Sequence, residues 1–93
     1  SQLTHAIAVS LVNSNVSSEV VKFIGDSYRD LTRIAMINEG LWSQLFIENK
    51  DALIGQIDSF INEIEIVKNA IYSGNIDLLN EKFISSKKKR EVM

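Results

Sequence analysis

The stretch 50–72, KDALIGQIDSFINEIEIVKNAIY, decides the fold. Leu53, Ile57, Phe60, Ile64, Val67 and Ile71 recur at alternating steps of four and three, which is one face of a helix in heptad-like register. Ile54, Ile61 and Ile66 add apolar surface beside and beyond that stripe. At ~1.5 Å per residue such a helix is a rod of roughly 35 Å. Two apolar flanks call for partners on two sides: the rest of its own chain for one, a second subunit for the other.

Working outward, Gly74 is suited to stop this helix and Asn75 to cap the next. That last helix carries Ile76, Leu78, Leu79, Phe83 and Ile84 and runs into Lys87-Lys88-Lys89-Arg90. On the other side, Asn38 predicts a cap for a helix bearing Leu41, Trp42, Leu45 and Phe46, with Glu39 at its positive end and a weakening near Asn49. Ser27 with Asp30 fits a capping box, and a helix from there should reach about Ile37. Ser17 or Ser18 can cap a short helix through Ile24 that Gly25 ends. Leu3, Ile7 and Leu11 predict a first helix over 2–13, followed by a loop at Asn13-Ser14-Asn15. The chain has no proline, and strict apolar/polar alternation is scarce. The expected class is therefore all-α: a helical bundle around one long central helix.

Composition narrows the function. A chain of 93 residues that is 45% hydrophobic and 24% charged is one globular domain, 1–93, small enough to gain from oligomerisation. A net charge of −2 gives no general attraction to nucleic acid. Without cysteine and with a single histidine, no thiolate metal site, disulfide framework or one-residue zinc site is expected. No apolar run approaches the ~20 residues of a membrane span. The start, Ser1 with helical spacing already under way and no secretory leader pattern, reads as a piece of a longer, cytoplasmic protein.

The stretch 25–42, GDSYRDLTRIAMINEGLW, carries the candidate chemistry. Arg33 lies among Leu31, Ile34 and Ile37, with Asp30 one turn away. A guanidinium held from water needs a partner, either Asp30 or an anionic ligand gripped in two-pronged fashion. His5, on the first helix, is either a hydrogen-bonded surface side chain or a ligand contact. Trp42 either packs core or walls a ligand pocket. Tyr28 and Arg29 flank the same segment, Arg29 on the solvent side. The basic run 87–90 is either a solvated helix end or an anion-attracting patch. The four glycines are scattered, so no phosphate-cradling loop is present, and no nucleophile–base order or carboxylate pair is readable.

These residues match a known pattern. The opening Ser1-Gln2-Leu3-Thr4-His5-Ala6-Ile7-Ala8 with Leu11-Val12-Asn13 resembles the helix of prephenate dehydrogenases that opens with Ser-His-Leu-Pro-His. Tyr28-Arg29-Asp30-Leu31-Thr32-Arg33-Ile34-Ala35 is similar to that family's Phe-x-Asp-Phe-Thr-Arg-Ile-Ala, and Leu41-Trp42 with Phe46 and Glu48-Asn49-Lys50 to its Met-Trp…Phe…Asn-Lys. Gln2 and Thr4 depart from the family's histidine and proline; Asp26 falls in its glycine-rich approach, and Glu39 stands where proline is common. The resemblance implies the C-terminal helical part of an enzyme that oxidatively decarboxylates prephenate with NAD (or NADP) to 4-hydroxyphenylpyruvate, in tyrosine biosynthesis. It implies a homodimer, intertwined through the long helix, with the cofactor and the catalytic residues on an N-terminal domain outside this stretch. It further implies that Arg33 binds a substrate carboxylate, that His5 and Trp42 line the substrate site, and that Asp30 pairs with Arg33 and gates access. On this reading residues 1–93 alone are inactive and bind no cofactor. Two rivals remain: a small helical chorismate mutase, for which Arg29, Arg33 and Arg90 supply few inward cations, and a non-catalytic helical interaction domain.

Overall fold

A computed structural model describes residues 2–14 and 25–93. The expected helix from Ser17 or Ser18 to Ile24 lies outside the described residues. The elements are α1 (Gln2–Asn13), α2 (Asp26–Thr32), a 3-10 turn (Arg33–Ala35), α3 (Glu39–Glu48), α4 (Lys50–Ser73) and α5 (Ile76–Glu91). Among the described residues there is no strand, and the all-α class holds.

Local chemistry explains most boundaries. At the end of α4, Gly74 takes φ 66, and the amides of Gly74 and Asn75 return to the carbonyls of Ile71 (3.1 Å) and Ala70 (2.8 Å). This pair of bonds closes a helix C-terminus around a left-handed residue. The Asn75 side chain then accepts from the Leu78 amide at 3.0 Å and starts α5. Asn38 starts α3 in the same way, accepting from Leu41 N at 2.9 Å. Asn49 closes α3 through its amide to Leu45 O (3.1 Å), and its own carbonyl accepts from Leu53 N (3.0 Å), so α4 follows with no loop.

Two expectations fail in the segment that carries Arg33. The box of Ser27 and Asp30 does not form: Gly25, at φ 65, is the residue before α2, and Ser27 lies inside the helix. The positive φ lets the chain turn into a helix one residue before Asp26, whose carboxylate suits the first turn. Nor does α-helix continue to Ile37. The Thr32 hydroxyl donates to the Tyr28 carbonyl at 2.7 Å, a back-bond that competes with the regular ladder. The chain tightens into the 3-10 turn at Arg33, and Met36 N reaches Arg33 O at 3.4 Å.

The chain divides into two compact units, Ser1–Gln56 and Ile57–Met93. In the first, α1 packs against α2 and the 3-10 turn, with Ala8 fully buried and Leu53 6% exposed. In the second, Ala70 is the buried residue, and the Lys82 Nζ to Glu63 Oε2 pair at 3.0 Å ties α5 to α4.

Candidate functional site

The candidate site is organised by α1. One helix supplies His5 and also lies against the turn that begins with Arg33. Across from it, the His5 imidazole stacks on the Trp42 indole, ring centroids 3.8 Å apart and planes 22° apart. Phe46, one turn along α3, meets Trp42 edge-on at 6.2 Å and 86°. All three rings are half-buried. Trp42 sits in the first turn of α3, where its amide bonds Asn38 O at 3.1 Å. The asparagine cap thus sets where the indole emerges.

Arg33 differs from expectation. It is exposed, as are Asp30 and Leu31, while Ile34 and Ile37 are half-buried. Among the described residues no ion pair joins Asp30 to Arg33. The physical reason is ordinary: an exposed carboxylate and guanidinium gain at most about 1 kcal/mol by pairing and lose side-chain freedom when they do. The guanidinium therefore stands at the surface of this chain, beside the helix that carries His5. Tyr28 is half-buried, and Arg29 is exposed, as read from sequence. Gln2, in the place of the family's first histidine, lines a shallow hollow with Asn49, Ala52, Leu53 and Gln56.

The stack of His5 on Trp42, braced by Phe46, is the feature that sequence reasoning missed. Spacing four residues apart already put Trp42 and Phe46 on one face of a helix. Nothing local ties either to His5, whose contact depends on how α1 meets α3. Among the described residues no group of metal-ligating side chains gathers.

The long helix leaves its stripe open. Leu53 is buried and Ile57 and Val67 are half-buried, but Phe60, Ile64 and Ile71 are 38%, 51% and 64% exposed. Ile54, Ile61, Phe83 and Ile84 are exposed as well. A single small chain rarely leaves so much apolar surface in register along consecutive helices unless another surface covers it.

Comparison with known proteins identifies the family. The family model described as "Prephenate dehydrogenase, dimerization domain" matches residues 1–85. The chain is 33% identical, over a 96-residue alignment, to the cyclohexadienyl dehydrogenase of Zymomonas mobilis, covering 97% of this chain and 33% of that protein. It is 29% identical, again over 96 aligned residues, to the prephenate dehydrogenase of Bacillus subtilis, covering 98% of this chain and 26% of that one. Residues 1–93 thus span about a third or less of these relatives' lengths. By the match over nearly its whole length, this chain belongs to the prephenate dehydrogenase dimerization-domain family.

Proposed function

We propose that residues 1–93 are the C-terminal dimerisation and substrate-binding part of an NAD-dependent prephenate dehydrogenase, working as one helical domain in a cytoplasmic, intertwined homodimer. The observation that carries the proposal is the family match over residues 1–85, together with an apolar stripe on α4 that its own chain leaves uncovered. The second copy covers that stripe. The match favours this reading over a small chorismate mutase or a non-catalytic adaptor.

Substrate would meet the surface formed by α1, the 3-10 turn and α3. Arg33 holds a carboxylate of prephenate through parallel N–H···O bonds, for which a planar guanidinium is well shaped. Its exposure in the single chain supports this: the group is available to a ligand and is not consumed by Asp30. Asp30 lies one turn back, where its charge bears on access to the guanidinium without an ion pair to it. His5 completes the lining, with Trp42 stacked against it. A dinucleotide, where one is bound, would supply the hydride acceptor. The residues here do not fit it, since Gly25, Gly40, Gly55 and Gly74 are scattered and no strand-to-helix turn is present among the described residues. The cofactor and the groups that assist hydride transfer belong to a part of the protein outside 1–93, and no step is derived through them.

Arg33→Ala in the intact enzyme tests the site. It should raise the KM for prephenate with kcat little changed, a loss of about 1.5–3 kcal/mol of charged hydrogen bonding. An unchanged KM removes Arg33 from the site. Residues 1–93 alone should transfer no hydride from prephenate to NAD; measurable turnover would contradict the assignment of catalysis to another part of the protein.

A further inference from the structure

We infer that Trp42 is a positioning residue for His5: its indole holds the plane of the imidazole by stacking and acts on ligand binding through that ring. This rests on the reading of His5 as a substrate contact. At 3.8 Å and 22° the two rings share a face, so the side of the indole turned toward His5 is covered by protein and is no wall for a ligand. Phe46 bears on the same indole edge-on, a preferred aromatic geometry that resists ring rotation. Asn38 fixes the turn from which Trp42 projects. Two ring contacts and a bond to its backbone amide therefore fix Trp42, whose ring lies face to face with the only histidine in the chain. An imidazole nitrogen makes a directed hydrogen bond, so holding the ring plane decides whether it points at a ligand oxygen.

The test compares His5→Asn, Trp42→Phe, Trp42→Leu and the double variant His5→Asn with Trp42→Leu in the intact enzyme, with prephenate and NAD. Trp42→Leu should raise the KM for prephenate on the order of tenfold, as loss of an orienting neighbour does elsewhere. Trp42→Phe, which keeps a ring to stack on, should retain most of the affinity. In the His5→Asn background, Trp42→Leu should add less than about a factor of two, because coupled residues do not add. Proton NMR supplies a signature that folding alone does not give. The His5 ring signals, identified by their loss in His5→Asn, should be shifted upfield by the indole, and that shift should vanish in Trp42→Leu. Should Trp42→Leu not fold, the wild-type shift and the Trp42→Phe result decide the matter. An equal Trp42→Leu effect with and without His5, or His5 signals at their ordinary positions in the wild type, overturns the inference and leaves His5 as a substrate contact. A His5→Asn variant with unchanged KM ends that underlying reading, and the inference with it.

Discussion

The two compact units treat their large side chains differently. In Ser1–Gln56 the aromatic rings engage one another: His5, Trp42 and Phe46 are half-buried in mutual contact. In Ile57–Met93 a row of apolar residues faces outward along both helices, with Ile64, Ile71, Ile76, Phe83 and Ile84 all more than half exposed, while Ile57, Ile66, Val67, Leu78 and Leu79 are half-buried. The first pattern orients polar groups at a surface, which is what binding requires. The second leaves hydrophobic area without cover, which is what association requires; each such side chain gains on the order of 1 kcal/mol when its exposed half is buried. A family known by its dimerization domain accounts for the second pattern directly and for the first by proposal.

If the division is correct, disturbing one unit should spare the other's function. The largest effect belongs to the apolar stripe. Ile64→Asp with Ile71→Asp should abolish self-association of the intact protein, since a charge trapped in an apolar interface costs several kcal/mol. Light scattering would then give the mass of a single copy, and a mass unchanged from wild type would place the interface elsewhere. Arg33→Ala comes next: its effect should appear in KM while the oligomeric mass stays as in wild type. Gly74→Ala follows. Space for a Cβ is open there, yet φ 66 costs an L-residue about 1–2 kcal/mol. A denaturation midpoint equal to wild type would show that the turn relaxes. Asn38→Ala should cost ~1 kcal/mol by removing the cap on α3, while Asn38→Asp should retain most of it; equal losses would mean that the side-chain oxygen is not what matters. The smallest effect is at Lys82 and Glu63, whose side chains are 30% and 58% exposed. A double-mutant cycle there should give under about 1 kcal/mol, and a larger coupling would show that the pair is shielded by a partner.

Legibility followed the range of the interaction. The long helix was readable because its stripe is a local repeat, and α4 ends at Ser73, one residue past the expected 72. Asn38, Gly74 and Asn75 were readable because a cap is decided within a few residues. The segment 26–37 was not, because two local signals compete. Ser27 and Asp30 favour one start, Gly25 at positive φ favours another, and the Thr32 back-bond ends the regular helix early. Arg33 was identified by residue type, but its apolar neighbours suggested shielding that one chain does not supply; Leu31 beside it is itself 52% exposed. The contact between His5 and Trp42 could not be read at all, since it arises where two helices meet.

The central claim is that the open face of α4 exists to meet its own copy. Sedimentation equilibrium of this chain tests it most directly. The account predicts a mass twice the 10.5 kDa of one protomer, held to low micromolar concentration. A single-protomer mass across the range would contradict it.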